Sequence, residues 1–223
     1  MNAEKSLDYF MEDSTEKSTE TTFKVFPTKG LKKYLYVKRI TDIFLASIGM
    51  VLALPVIFVS AMFIVLETPG SPFYTQERVG KNGKKFKLIK LRSMRTDAEK
   101  FGAKWAEAND PRVTKVGAII RKTRIDELPQ LLCVLKGDMS MIGPRPERPM
   151  FTEQFNREIE GFKNRLLVKP GLTGLAQVNG GYDISPREKL QYDLIYIDNL
   201  SMLLEMKIML KTVKVLFTGE GAR

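Results

Sequence analysis

From Ile43 to Leu66 the chain carries no charged residue. Such a run exceeds the roughly 20 apolar residues with which a helix crosses a bilayer. An ordinary spanning helix is one reading, and two features favour another. Pro55 stands in the middle of the run. It lacks an N–H and clashes with the preceding turn, so it favours a kink. Positive charge also stands on both flanks, with Lys32, Lys33, Lys38 and Arg39 before the run and Lys81, Lys84, Lys85, Lys87, Lys90, Arg92 and Arg95 after it. Cationic flanks favour the cytoplasmic side. Both are satisfied if the helix enters, bends at Pro55 and returns to the same face, each arm being too short to span. The run therefore predicts a re-entrant helical hairpin marked by Lys38, Arg39, Asp42 and Pro55. Asp42 is expected to cap the run or to pair with Arg39.

On either side of the hairpin the pattern changes. Residues 1–30 are rich in Glu, Asp, Ser, Thr and Lys and predict a disordered leader. No basic segment precedes an immediate apolar core, so the leader is not a signal peptide. The basic flank and membrane helix occupy 31–67, and a catalytic domain is expected over 68–223. Within it, Phe73–Gln76 reads as extended, Val79–Lys84 as a hairpin turn and Lys85–Leu91 as an alternating strand. Helices are predicted over Arg95–Ala108, Val116–Arg121, Leu128–Leu135, Glu153–Phe162, Glu188–Asn199 and Leu203–Phe217. Pro170–Gly171 and Asn179–Gly181 should bracket a short extended piece. The fold class is a helix-rich α/β domain on a membrane anchor, with amphipathic C-terminal helices at the interface.

Composition narrows the chemistry. The 36 Lys and Arg outnumber 26 Asp and Glu, and there is no His. The charge points to phosphate-rich partners. The absence of His excludes His-based triads and His-ligated zinc. The single Cys133 leaves no internal disulfide and no Cys-rich metal site. Catalysis must rest on carboxylates, Lys and Arg, hydroxyls or an oxygen-ligated metal such as Mg2+.

One cluster meets that description. Leu128, Leu131, Leu132 and Leu135 share a helical face, and Pro129 is tolerated only near a first turn. The helix should then start near Ile125–Asp126, with Asp126 and Glu127 at its N-terminus. Acidic residues commonly cap helices there. Here, however, Arg121, Lys122 and Arg124 stand within a turn, and a carboxylate among cations stays ionised, as a nucleophile or metal ligand needs. Further cations suit phosphate. Lys90 and Arg92 alternate on one strand face, Arg112 follows the rigid Asp110–Pro111, and Arg145 is held between Pro144 and Pro146. Neither a Walker loop nor a dinucleotide glycine fingerprint occurs.

Taken in order, Lys38-Arg39…Asp42, the Pro-interrupted apolar run, Gln76-Glu77-Arg78-Val79-Gly80, Lys90-Leu91-Arg92-Ser93-Met94, Asp110-Pro111-Arg112, Asp126-Glu127-Leu128-Pro129-Gln130-Leu131, Leu135-Lys136-Gly137-Asp138-Met139-Ser140, Gly143-Pro144-Arg145-Pro146 and Lys169-Pro170-Gly171-Leu172-Thr173-Gly174 resemble the bacterial sugar transferase family, the small monotopic phosphoglycosyl transferases. The match runs from about residue 35 to the C-terminus. The resemblance implies transfer of a sugar 1-phosphate from a UDP-sugar to undecaprenyl phosphate with release of UMP. It implies Asp126 as nucleophile, a phosphosugar-aspartyl intermediate, and Glu127 as the Mg2+ ligand. It assigns Arg121 to phosphate and Pro144, Arg145 and Pro146 to the nucleotide, with Lys90 and Arg92 as further phosphate contacts; Arg112 joins the substrate-binding candidates on its place beside the Asp110–Pro111 bend. It places the enzyme on the cytoplasmic face of the bacterial inner membrane, at the first membrane step of exopolysaccharide, capsule or glycoconjugate assembly. A homodimer stays open, as does the identity of the sugar. The chain departs from the family pattern at Arg124, where Ser is common, at Cys133 for Asn, at Gly181 for Arg and at Glu205 for Asp.

A membrane-tethered nucleic-acid- or polyanion-binding protein is the rival reading. Against it, aromatics do not interleave with the cations, and no helix-turn-helix or zinc module is present. Nucleic acid is therefore not an expected partner. A catalytically dead assembly partner is a third reading, which the intact Asp126–Glu127 pair opposes.

Overall fold

The computed structural model describes residues 28–100, 110–180 and 184–218. The chain divides into Met1–Lys32 and Lys33–Arg223, and apart from the first turn of the N-terminal helix everything discussed below lies in the second. Most of the predicted leader lies outside the described residues.

Helix α1 covers Thr28–Glu67 with Pro55 inside it. Helical backbone thus continues through the proline, and no loop divides the segment. Asp42, Ala46, Ala53, Ile57, Ser60 and Ile64 are buried. Their spacing of three, four or seven residues makes one stripe. The stripe joins Phe86, Leu88, Leu91, Ile120, Leu131, Cys133, Val134 and Met139 in one core. Most other apolar side chains of α1 face outward, among them Phe44, Val51, Leu52, Phe58 and Leu66. Only 22% of its apolar window is buried, far less than in the core helix of a water-soluble protein. So large an apolar surface suits a lipid environment.

After α1, β1 (Phe73–Val79) and β2 (Lys85–Leu91) form an antiparallel hairpin, from Phe73 opposite Leu91 to Val79 opposite Lys85. The turn residue Asn82 has φ 55°. Along β2, Phe86 and Leu88 are buried while Lys85 and Lys87 are exposed, as the two-residue period of a strand requires. Lys90 follows two residues after Leu88 and shares that inward face.

Residues 96–100 form turns, not the predicted start of a helix; 101–109 lie outside the described residues. Helix α2 (Lys115–Lys122) is capped by Thr114, whose Oγ accepts from Gly117 N. A 3-10 segment (Ile125–Gln130) then leads into α3 (Leu131–Lys136). The single helix predicted here divides because Pro129 cannot donate to the preceding turn. The division also moves the inward face: Leu131, Cys133 and Val134 are buried, whereas Leu132 is exposed.

Strand β3 (Ser140–Ile142) pairs in parallel with β4 (Gly171–Thr173). Between them lie α4 (Pro149–Glu158) and a 3-10 segment (Phe162–Leu167); the predicted helix over Glu153–Phe162 begins and ends earlier. The piece expected to be extended is so over β4, and helix α5 (Leu175–Gly180) takes the rest of it; 181–183 lie outside the described residues. Helices α6 (Pro186–Asp198) and α7 (Met202–Thr218) end the chain. The two differ in environment. Leu190 of α6 packs with Phe155, Ile159 and Phe162, and α6 exposes no large apolar residue. Only α7 keeps an outward apolar face: Met202, Leu203, Met206, Leu210 and Val213.

Candidate active site

Arg124 opens the site. It takes a left-handed conformation, φ 57°, and turns the chain sharply between α2 and the 3-10 segment. Its carbonyl accepts from Glu127 N at 3.1 Å. The turn delivers Asp126 and Glu127 beneath β2, where Lys90 meets both. Lys90 Nζ donates to Glu127 Oε1 at 2.8 Å and lies 3.8 Å from Asp126 Oδ2. Arg145, 18 residues further along the chain, reaches Glu127 from the segment that follows β3. Its Nη1 donates to Oε2 at 3.3 Å, and its Nη2 contacts Oε1. Two adjacent carboxylates and two cations from separate segments thus share one cluster.

The Pro144–Pro146 segment has no regular structure, and its surroundings hold it. Four consecutive carbonyls are each tied to another part of the chain: Pro144 O accepts from Gly171 N, Arg145 O from Arg165 Nη2, Pro146 O from Arg78 Nη1 and Glu147 O from Val79 N, all at 3.0 Å. Gly143 and Gly171 permit this. A Cβ on Gly171 would lie 2.0 Å from Gly143 N, and one on Gly143 2.4 Å from Lys169 O. Behind the segment, Arg165 pairs with Asp193 of α6 (Nη2 to Oδ2, 2.7 Å). Both side chains are buried, and the guanidinium lies 4.9 Å from the centroid of the Phe162 ring.

The two carboxylates differ in their electrostatics. Burial pushes the Asp126 carboxyl up, and Lys90 is the strongest opposing influence, with Glu127 adding to the rise and Arg145 and Arg121 countering it. Burial also disfavours the charge on Glu127, yet Arg145 and Lys90 outweigh it and hold this carboxyl well below its ordinary range. Glu127 is therefore a fixed anion, while Asp126 is a buried carboxyl without a close clasp of its own.

The remaining predicted residues have other placements. Arg92 is buried and donates to Thr68 O at 2.6 Å and Pro69 O at 3.2 Å, so it ties down the chain leaving α1. Arg112 pairs with Asp110 at 2.6 Å and donates to Ala98 O. Arg121 acts on Asp126 through its charge. At the start of α1, Arg39 donates to Val134 O and Leu135 O at 2.7 and 2.8 Å. Asp42 does not take up Arg39 as its partner. It accepts from Ser140 Oγ and Met141 N, each at 3.0 Å, and lies 4.0 Å from Lys38. Lys38 Nζ is 2.5 Å from Glu205 Oε2, and Glu205 Oε1 accepts from Tyr34 at 2.8 Å and Tyr196 at 2.5 Å.

Sequence reasoning missed Arg78, Arg165 and Asp193 as supports of the site. A signal for Asp193 was present: a carboxylate between Leu190 and Ile197 on the inward face of an amphipathic helix calls for a buried partner.

Among the described residues no group of three or more His, Cys, Asp or Glu stands together, so the carboxylates that could hold a metal at this cluster are Asp126 and Glu127, and Glu127 is paired with Lys90 and Arg145. Two oxygen donors suit Mg2+, which commonly binds one or two carboxylates together with substrate phosphates and water.

Residues 33–219 match the family model described as bacterial sugar transferase. The chain is 59% identical over 166 residues to a Bacillus subtilis protein provisionally named undecaprenyl-phosphate N-acetylgalactosaminyl 1-phosphate transferase, covering 74% of this chain and 90% of that one. It is 47% identical over 193 residues to the UDP-N-acetylgalactosamine-undecaprenyl-phosphate N-acetylgalactosaminephosphotransferase of Aeromonas hydrophila, covering 85% of this chain and 46% of the relative. With the UDP-glucose:undecaprenyl-phosphate glucose-1-phosphate transferase of Escherichia coli K12 it shares 39% identity over 201 residues, 88% of this chain and 43% of the relative. The chain thus spans nearly all of the Bacillus protein and less than half of the other two.

Proposed function

Because this chain belongs to the bacterial sugar transferase family, we propose that it transfers a sugar 1-phosphate from a UDP-sugar to undecaprenyl phosphate through an aspartyl intermediate. The observation that carries this is the division of labour in the dyad, with Glu127 clasped by Lys90 and Arg145 and Asp126 left beside them.

An ionised Asp126 oxygen attacks the β-phosphorus of the donor. A bond forms between that oxygen and phosphorus, the phosphorus–oxygen bond to UMP breaks, and UMP leaves with the electron pair. A phosphate oxygen of the lipid then attacks the same phosphorus and frees the Asp126 carboxylate. Two displacements spare the enzyme from binding a soluble donor and a lipid acceptor together. Lys90, Arg145 and Arg121 offset the donor's negative charge. Mg2+ on Glu127, when bound, would further screen the diphosphate. Glu127 would have to loosen its pairing with Lys90 or Arg145 to take it.

The donor to test first is UDP-N-acetylgalactosamine, which the relative at 47% identity carries in its name. The reaction would open exopolysaccharide, capsule or glycoconjugate assembly on the cytoplasmic face of the inner membrane.

The re-entrant reading of α1 is supported by its contacts. Its first turns bind the domain through Lys38, Arg39 and Asp42. Its last residue, Glu67, accepts from Lys115 N and Val116 N at 2.8 and 2.9 Å. Both ends of α1 thus bond to the one domain, as entry and exit by the same face requires.

The test uses detergent-solubilised full chain, Mg2+, undecaprenyl phosphate and a panel of UDP-sugars, with UMP release as the readout. The wild type should release UMP and form a trappable phosphosugar adduct, and Asp126→Asn should do neither. An adduct persisting in Asp126→Asn removes Asp126 as nucleophile. A wild type that leaves every donor intact removes the reading as a whole.

A further inference from the structure

A second group of cations lies at the base of α1 and shares no residue with the dyad cluster. Gly137 ends α3 at φ 91°, its N–H bonded back to Cys133 O and Val134 O. A Cβ built on Gly137 would meet Arg39 Nη2 at 3.4 Å and Lys169 Nζ at 3.5 Å. Two cationic groups therefore converge on one small space that a side chain would fill.

Arg39 is partly accounted for, because it caps the last carbonyls of α3. Lys169 is not. No hydrogen bond or ion pair joins its ammonium to another of the described residues. Burial and the neighbouring Arg39 push its pKa down, Lys81 adds to this, and Asp42 and Asp138 oppose it. Of these two carboxylates, Asp42 is already bonded to Ser140 and Met141 N. Like charges drawn together around an open space favour an anion between them.

The position indicates which anion. The adjoining turns of α1 expose Leu35, Tyr36, Ile40, Ile43 and Phe44, so the cations stand where the outward apolar surface begins. A free phosphate would use the cations and leave that surface unused. A lipid would use both, its phosphate on Arg39 and Lys169 and its chains along α1. We propose that Arg39 and Lys169, converging at Gly137, bind the headgroup phosphate of an anionic phospholipid, at a site separate from the one where sugar phosphate is transferred. The proposal rests on α1 being inserted in a membrane, and it requires no sugar donor.

Native mass spectrometry of the full chain in detergent tests it, with phosphatidylglycerol, phosphatidylcholine or inorganic phosphate added. The wild type should retain phosphatidylglycerol in preference to phosphatidylcholine, and millimolar inorganic phosphate should displace it poorly. Lys169→Gln should weaken the phosphatidylglycerol adduct roughly fivefold, the contribution of one cation near a membrane surface. Lys163→Gln, at an exposed lysine on the Phe162–Leu167 segment, should match the wild type. Lys169→Arg, which keeps the charge, should retain the adduct and so separates charge from folding. An unchanged adduct in Lys169→Gln, or displacement by inorganic phosphate at concentrations equal to those of the lipid, overturns the proposal. Failure of sugar transfer would leave this readout untouched, whereas a wild type that does not partition into vesicles would remove the membrane placement on which both depend.

Discussion

Asp126 and Glu127 are adjacent carboxylates with opposite electrostatic settings, and the difference yields two predictions. Asp126 must lose its proton to attack phosphorus, and burial raises its pKa above the ordinary 3.8. UMP release per encounter, kcat/KM, should therefore fall on acidification with an apparent pKa above 3.8. A profile flat down to that value would contradict the assignment. The same shift affects stability. A carboxyl whose pKa is raised by folding stabilises the fold while protonated, and that contribution is lost as pH rises through the folded value. Asparagine mimics the protonated form at every pH. At pH 8, Asp126→Asn should abolish turnover and raise Tm; the matching measurement is a pair of thermal melts, and an unchanged or lower Tm would contradict the burial argument. Arg145 acts in the other direction. Arg145→Ala removes a clasp from Glu127 and a cation from the donor site, and kcat/KM should fall about 100-fold, as when a charge-stabilising donor is lost.

At the scale of elements, the Pro144–Pro146 segment is positioned by the helix and strands around it. Asp193 on α6 holds Arg165, Arg165 donates to Arg145 O, and the Arg145 side chain clasps Glu127. Removing one partner of such a buried pair leaves an uncompensated charge and costs about 3–5 kcal/mol, whereas replacing both with apolar groups is often close to neutral. Arg165→Met should thus destabilise the fold strongly in chemical denaturation, and Arg165→Met with Asp193→Leu should recover much of that loss. The double variant should still turn over poorly, because Arg145 O has lost its donor. Full activity in a stable double variant would make the pair structural only. The metal belongs to this scale as well, since Glu127, which would hold it, stands on the 3-10 segment. Removing Mg2+ with a chelator should stop UMP release and leave the melting curve of the free protein unchanged.

For the whole molecule, the prediction concerns topology. If α1 enters and leaves by one face, tags at the N- and C-termini are both shielded from impermeant reagents in intact cells. Labelling of the C-terminal tag alone would make α1 a spanning helix. Much of this architecture was legible in the linear chain. Ile43–Leu66 required an apolar environment whatever the rest did, the alternation of Lys85–Leu91 required a strand, and the acidic pair beside Pro129 marked a helix start among cations. These features are local, because propensity and periodicity act over a few residues. The tertiary structure decided which cation meets which carboxylate. Lys90 and Arg92 look equivalent in sequence, yet the strand face carries Lys90 to Glu127 while the strand end turns Arg92 to the carbonyls of Thr68 and Pro69. Arg145 and Arg112 each stand next to proline, yet only Arg145 faces Glu127 in a segment held by four carbonyl contacts. Ion pairing depends on distance in space, and burial sets how far each partner moves a pKa. Neither quantity exists until the chain has folded.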